Sequence, residues 1–370
     1  MSVRRLRLTD FRCFEAAEIE PGPGWNLITG ANASGKTSLL EALFFLGRGK
    51  SFRTGRAARL VRDGSEGFRL VSELAGGHQL GVERTGREMR WRLDREGLRR
   101  LAEIASVFPV LTVDASAQLL VEGGPEHRRR FLDWGLFHVE PGFLESWKRY
   151  RQALSQRNRI LRELAGGGRQ RLSGAGGDDR NLASWNRPVA EAGEALDRLR
   201  KAQVERIDAI FGRLAEEMLG VEGIGLEYQS GWKHGETLES VLSGNIESEV
   251  RMAHTLAGPH RAELKIRLGG RDARERISRG QQKLLAASLL LAGAHVFEEV
   301  RGKGVTLLVD DLPAELDRSH AVRFGKLLSG LSGQCFVTGL EAERLAEITP
   351  QDIREETRWF HVEQGAILRR

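Results

Sequence analysis

Residues 30–37 read Gly-Ala-Asn-Ala-Ser-Gly-Lys-Thr, a complete G-x-x-x-x-G-K-[ST] run. Trp25-Asn26-Leu27-Ile28-Thr29 leads into it with strand texture, and Ser38-Leu39-Leu40-Glu41-Ala42-Leu43 leads out with helix texture. Strand, glycine-rich turn and helix in that order build a cradle for a polyphosphate. The glycines let the backbone curl until several N–H groups point at one anion, and the helix adds the positive end of its dipole. Gly30, Ala31, Asn32, Ala33, Ser34, Gly35, Lys36, Thr37 and Ser38 are therefore expected to bind ATP. Lys36 is expected to reach the β- and γ-phosphates, and Thr37 to ligate Mg²⁺. A strand feeding such a loop also predicts an α/β core.

The second half of the chain holds what the loop needs. Val305-Thr306-Leu307-Leu308-Val309-Asp310-Asp311 is an apolar run ending in two acids. A central parallel strand, covered on both faces, reads this way. Its end lies beside the phosphate loop in P-loop folds, so Asp310 is expected at the Mg²⁺ and Asp311 at the attacking water. Lys36 and Asp311 are the catalytic candidates. Upstream, Ile277-Ser278-Arg279-Gly280-Gln281-Gln282-Lys283 opens a long apolar helix. Alone, it reads as a capped core helix. Beside a complete phosphate loop it is a second anion-binding helix start, which one nucleotide does not need within one subunit. Ser278, Gly280 and Gln281 are therefore expected to face the nucleotide of another subunit, with Asp317 of Ala314-Glu315-Leu316-Asp317 on the same interface.

Between these halves the texture changes near Gly123-Gly124-Pro125. Residues 1–20 alternate as a hairpin, and strand-like runs at Phe68–Leu74, Gln79–Arg84, Arg90–Leu93 and Val107–Val113 suggest a β-meander. From Arg128 to Ala165 the pattern is helical, and Gly166–Asp179 reads as a flexible tip. A second helical run follows, with Leu182, Trp185, Val189, Ala192, Leu196, Leu199, Gln203, Ile207, Ile210 and Leu214 at threes and fours, about four heptads. Pro188 either kinks this helix or marks a late start. The pair reads equally as a protruding antiparallel arm or as a packed bundle. Strand texture returns around Glu227. The expected division is 1–122 for the N-terminal half of the head, 123–222 for the helical insertion and 223–370 for the C-terminal half.

The composition sets limits. With 40% hydrophobic and 29% charged residues, the 370-residue chain has the balance of a soluble globular protein. No apolar run approaches the roughly 18–20 residues of a membrane span, and no secretory signal is visible. Cys13 and Cys335 sit in apolar strand-like runs, which predicts buried thiols and a cytoplasmic location. A net charge of +6 favours an anionic partner, nucleic acid before membrane. Candidate DNA contacts are Arg48, Lys50, Arg53 and Arg56, with Arg128, Arg129 and Arg130; each cluster also reads as a solvated helix face.

The set Gly30–Ser38, Ser278–Lys283, Asp310-Asp311 and Ala314–Asp317 resembles the ATP-binding-cassette ATPases of the SMC type, and within them the RecF family. Gly49-Lys50-Ser51-Phe52-Arg53-Thr54, Glu122-Gly123-Gly124-Pro125, Arg128–Asp133, Gln156-Arg157-Asn158, Gly258-Pro259-His260-Arg261 and Gly280-Gln281-Gln282-Lys283 carry the closer likeness, in RecF order from residue 1 to about 340. The resemblance implies a P-loop ABC-type head with a β-meander, split by a helical insertion. It implies an ATP-dependent homodimer that clamps double-stranded or gapped DNA and releases it on hydrolysis, in DNA repair, recombination and the SOS response to DNA damage. It further implies work with RecR and RecO to load RecA, and a weak DNA-stimulated ATPase. The chain departs from that pattern at Arg279 in the signature, at Ala115-Ser116-Ala117-Gln118, and at Gly339, where many cassette ATPases carry a switch histidine. An ATP-gated structural clamp with negligible turnover is the alternative.

Overall fold

In the computed structural model, described for residues 2–98, 100–166 and 178–369, the chain forms two compact units. The first comprises 1–118, 213–221 and 278–370, the second 119–212 and 222–277.

The chain opens with β1 (Val3–Phe11), β2 (Phe14–Ile19), β3 (Trp25–Thr29) and α1 (Lys36–Arg48), followed by β4 (Gly67–Leu74), β5 (Gln79–Thr85), β6 (Glu88–Leu93), β7 (Glu96–Gly97), α2 (Leu101–Val107) and β8 (Val110–Val113). The second unit holds α3 (Leu119–Glu122), α4 (Pro125–Val139), α5 (Phe143–Gly166), α6 (Asp178–Ser184), most of α7 (Asn186–Leu219), β9 (Ile224–Gln229), α8 (Leu238–Gly244), α9 (Ile246–Met252), β10 (Glu263–Leu268) and β11 (Arg271–Asp272). The chain then adds α10 (Arg279–Arg301), β12 (Thr306–Val309), α11 (Leu312–Glu315), α12 (Arg318–Ser329), β13 (Cys335–Gly339), α13 (Ala342–Ile348), β14 (Arg358–Glu363) and β15 (Ala366–Arg369) to the first unit.

Two sheets organise the first unit. One is antiparallel, in the order β2-β1-β4-β5-β6-β7. The other runs β15-β14-β3-β13-β12-β8, parallel throughout except for β15. Helix α1 is buried on nearly every side, as its all-round apolar sequence requires. Its Leu39, Leu43 and Phe45 share one core with Leu6, Leu8 and Leu70 of the antiparallel sheet and with Ile28, Leu308 and Phe336 of the parallel one. The residues alternating with the last three, Leu27, Leu307, Val309 and Val337, are buried as well, so the parallel sheet is covered on both faces. Buried polar groups stitch the sheets together. Gln334 bonds both the N–H and the C=O of Val3, at 2.7 and 2.9 Å.

Three of the four expected meander strands are β4, β5 and β6. The fourth run divides. Val107 ends α2, Pro109 interrupts the chain, and Val110–Val113 forms β8, paired in parallel with β12. Proline cannot continue a helix and restricts the residue before it, and the β-rich run Val-Leu-Thr-Val, with its three apolar residues buried, suits a strand of the parallel sheet.

The second unit begins at 119 and closes at 277 rather than at 222, because the strands after α7 pack with the helices. Leu238, Leu242 and Ala257 enter one core with Leu136, Tyr150, Val189 and Leu196. Arg128 of α4 holds Glu263 of β10 through two nitrogens, at 2.8 and 3.0 Å. Within this unit the helices share a core with α8. Pro188 lies in the first turn of α7, where its missing N–H has no helical acceptor to lose. Most of the expected tip, 167–177, lies outside the described residues.

Candidate nucleotide-binding site

The phosphate loop leaves the end of β3 and enters α1 at Lys36. Gly30 and Gly35 adopt φ of 153° and 120°, which side chains rarely tolerate. A Cβ at Gly30 would lie 2.3 Å from the Val362 carbonyl oxygen, and one at Gly35 2.8 Å from Cys13 Sγ. Both glycines are thus required by close approach as well as by backbone angle. From the β14–β15 turn, the Gly365 N–H donates to Ser34 O at 3.4 Å.

Lys36 is buried, and its ammonium donates to the carbonyls of Gly30 at 2.8 Å and Ala31 at 3.0 Å. Thr37 Oγ1 donates to Asp310 Oδ1 at 3.0 Å. This pairing follows from topology. In the parallel sheet β13 lies between β3 and β12, so the acids at the end of β12 stand one strand away from the loop. All the parallel strands present their C-terminal ends here, the edge at which open α/β sheets bind ligands.

Asp311 sits in the left-handed region at φ 51°, a conformation that aspartate tolerates better than most residues. Thr338, at the end of β13, fixes both acids. Its hydroxyl lies 3.0 Å from Asp310 Oδ1 and 3.2 Å from Asp311 Oδ1, and accepts the Asp311 N–H at 2.8 Å. Burial pushes the Asp310 carboxyl above the usual carboxylate range. The Asp311 charge adds to that push, while the hydroxyls of Thr37 and Thr338 oppose it.

Two groups at this edge escaped the sequence reading. Thr338 is one. Asp114, just past β8, is the other: the register pairing Val113 with Val309 sets it beside Asp310. Its Oδ1 accepts from Ser116 N–H and Oγ, at 2.7 and 2.6 Å, while Oδ2 is buried without a hydrogen bond. The available signal was strand order, since each residue directly follows or closes an apolar run that joins the parallel sheet.

The loop suits a triphosphate with a divalent cation. The Ser34 hydroxyl is buried in it without a partner, its glycines leave no room for side chains, and Thr37 already stands against a carboxylate. These are the donors and acceptors that nucleotide phosphates and Mg²⁺ use.

Ser278 caps α10 in a capping box, accepting from Gln281 N–H at 3.3 Å while the Gln281 side chain accepts from the Ser278 N–H at 2.9 Å. Ser278, Arg279 and Gly280 are exposed. A Cβ at Gly280 would meet nothing nearer than Ser278 Oγ at 4.0 Å, so packing within the chain does not require glycine there. Asp317 caps α12. The His320 N–H, then the His320 ring and Ser319, hold its carboxyl far below the usual range.

The basic clusters diverge. Arg48 lies over the Phe44 ring at 5.8 Å, and burial lowers its pKa to about 10. Lys50, Arg53 and Arg56 are exposed. Arg128 is not placed to meet a phosphate. It is 9% exposed, and besides Glu263 it donates to the carbonyls of Leu120 and Gly123. Arg129 is half-buried and donates to Ala262 O at 2.8 Å, which leaves Arg130 as the exposed member of that triplet. An arginine inside a turn of a packed helix looks the same in sequence whether its fork points in or out. Cys335 is buried as expected, but Cys13 is exposed in the turn after β1, with Sγ 3.9 Å from Ser34 O; both thiols are free.

A glycine-rich loop between a buried parallel strand and a helix, faced by paired acids from the next strand but one, defines the head of a P-loop ATPase of the ATP-binding-cassette type. The chain belongs to the RecF family of DNA replication and repair proteins within the SMC-type ATPases. The family described as the RecF/RecN/SMC N terminal domain matches residues 2–365. The DNA replication and repair protein RecF of Chromohalobacter salexigens is 39% identical over 372 residues, covering 100% of this chain and 99% of its own. That of Pseudomonas syringae pv. syringae is 38% identical over 376 residues, covering 99% and 98%. Among solved structures, the recombination mediator protein RecF-ATP in the RecFOR pathway superposes with a TM-score of 0.83 at 24% identity, covering 100% of this chain and 97% of its own. The Smc head domain of Pyrococcus furiosus with an extended coiled coil superposes at 0.59 and 15% identity, covering 100% and 96%.

Proposed function

We propose that this chain is an ATP-dependent DNA-binding protein of recombinational repair and replication-fork maintenance, whose homodimer clamps duplex or gapped DNA while ATP is bound. The Thr37–Asp310 contact at the mouth of the phosphate loop carries the reading, because it joins the two halves of a nucleotide site from residues 273 apart in sequence. Residues Gly30–Ser38 wrap the phosphates. Lys36 exchanges its loop carbonyls for β- and γ-phosphate oxygens, and Thr37 and Asp310 hold Mg²⁺. When bound, the cation neutralises charge developing on the phosphates. Asp311, fixed by Thr338, orients the attacking water.

The exposed Ser278–Gly280 segment supports a site completed by a second copy. Its glycine is unexplained within one chain, and the N-terminus of a long helix is a ready phosphate ligand. Asp317 belongs to the same surface. ATP then acts as a ligand of the dimer and favours it by differential affinity. RecR and RecO are the expected partners, a reading supported by the solved relatives named for the RecFOR pathway, and RecA is the protein expected to be loaded through them.

One observation favours the alternative of a clamp with negligible turnover. A Cβ at Gly339 would lie 2.9 Å from the Leu345 side chain, so the end of β13 has no space for a switch histidine. ATP hydrolysis measured over a protein concentration series, with and without gapped duplex DNA, separates the readings. A rate per subunit that rises with concentration and DNA is expected for a composite, DNA-stimulated site. A flat rate would refute the composite site, and no rate at any concentration would leave the structural clamp.

A further inference from the structure

The outer face of the antiparallel sheet carries a basic depression that the nucleotide site does not use. Strand register sets out two rows across it: Arg7, Val71, Gly81 and Arg92 on β1, β4, β5 and β6, and Thr9, Arg69, Glu83 and Arg90 on the same strands. Gly81 and Val71 form the floor. A Cβ on Gly81 would meet only the Leu70 carbonyl oxygen at 3.8 Å and Val71 at 4.0 Å, so the missing side chain leaves open space rather than relieving a clash. The resulting cavity, about 480 Å³, is lined by Arg7, Arg69, Arg90, Arg92 and Arg95 against a single carboxylate, Glu83. All five arginines are exposed.

The same sheet supplies its own control. Toward β2 the charges are neutralised: Arg5 meets Glu20 and Glu18, and Arg7 meets Glu18 at 2.6 Å. At the outer end Arg90 reaches Glu88 at 2.9 Å. The side chains of Arg69, Arg92 and Arg95 have no hydrogen-bond or ion-pair partner among the described residues, so the centre of the depression holds unneutralised charge. A solvated face built only for solubility would intersperse both signs, as the β1–β2 side does.

We infer that this depression binds the sugar–phosphate backbone of DNA. Arg69 on β4 and Arg92 on β6 stand on strands two spacings apart, about 10 Å. That spread exceeds one phosphate group and matches a run of them. Guanidinium forks suit phosphate oxygens. The wide floor offers no element to enter a groove and no exposed aromatic ring to stack on a base, so contact is independent of sequence. The inference rests on the DNA-binding reading above and names a surface for it.

The test uses the full chain with ATP and duplex DNA over a salt series. The Arg69→Gln/Arg92→Gln double variant is expected to bind DNA at least tenfold more weakly, with the slope of log K against log salt reduced by about 2, near 0.9 per lost contact. ATP binding and the thermal midpoint should not change. Gly81→Glu, which places a carboxylate in the open centre, is expected to weaken DNA binding similarly while keeping the fold. Unchanged affinity and slope in both variants, with wild-type binding intact, would overturn the inference and leave the DNA reading standing. That result would assign the face to another occupant, such as an acidic protein surface. A wild-type chain that binds no DNA with ATP at any salt would overturn the DNA reading itself, and this inference with it.

Discussion

Thr338 is the residue on which the acids at the head of the sheet depend. One hydroxyl faces the Asp310 and Asp311 carboxylates and accepts the Asp311 N–H, so it sets both the position of the proposed cation ligand, Asp310, and the backbone turn at Asp311. Thr338→Val keeps the shape and removes the hydroxyl. Loss of one charge-assisted bond predicts turnover lower by roughly tenfold with little change in nucleotide affinity, read from steady-state hydrolysis beside equilibrium nucleotide binding. His260 belongs to a different part of the chain and a different role. Its Nδ1 lies 2.6 Å from the Tyr150 hydroxyl, and its Nε2 donates to Thr255 O at 3.0 Å. Burial, above all, lowers its pKa to about 4. The native ring stays neutral where the unfolded ring, near 6.5, takes up a proton. Stability from this group is therefore complete above about pH 6.5 and is lost as pH falls toward 4. Between pH 7 and pH 5 the wild type should lose about 2 kcal/mol more than His260→Gln, measured by urea unfolding at the two pH values.

At the scale of elements, α1 is held by a buried charge. Glu41 is fully buried on this helix, and Arg12, in the turn after β1, grips it with two nitrogens at 2.7 and 2.8 Å. Ser51, beyond the helix, also donates to Glu41, and its hydroxyl receives the N–H groups of Arg53 and Thr54 at 2.9 and 3.0 Å. One carboxylate thus fixes the helix that carries Lys36 and Thr37, the turn before it and the basic segment after it. Arg12→Ala removes both close guanidinium bonds and leaves the buried charge only the Arg53 guanidinium at 3.8 Å, which should cost about 3 kcal/mol. Adding Glu41→Gln to Arg12→Ala should restore part of the loss, since the uncompensated charge is then gone; denaturant unfolding of the single and double variants decides it. In sequence, Glu41 is one polar residue in an apolar helix, and nothing near it names a partner 29 positions away.

For the whole molecule, the proposal is that one chain is half of a machine. Ser278→Arg should bind nucleotide normally and fail to form the ATP-dependent dimer, because the substitution blocks a partner's site and leaves its own intact. Lys36→Ala should lose nucleotide binding and dimerisation together. Sedimentation with and without ATP, beside nucleotide titration, distinguishes them, and a Ser278→Arg chain that dimerised normally would remove the trans role of the signature.

The sequence by itself determined the phosphate loop, the acid-tipped strand, the capped signature helix and the family, because each is written in contiguous residues whose local geometry needs no distant partner. Its alternation also placed β1, β2, β4, β5 and β6. Only the tertiary structure decided which runs share a sheet, and with that it moved Val110–Val113 out of the meander and into the parallel sheet, setting Asp114 beside Asp310. Burial likewise turned Arg128 from a candidate phosphate contact into a tie to Glu263, and the 222–277 strands joined the helices rather than the head. Side-chain direction and strand order arise from packing between segments far apart in the chain, and no local pattern encodes them.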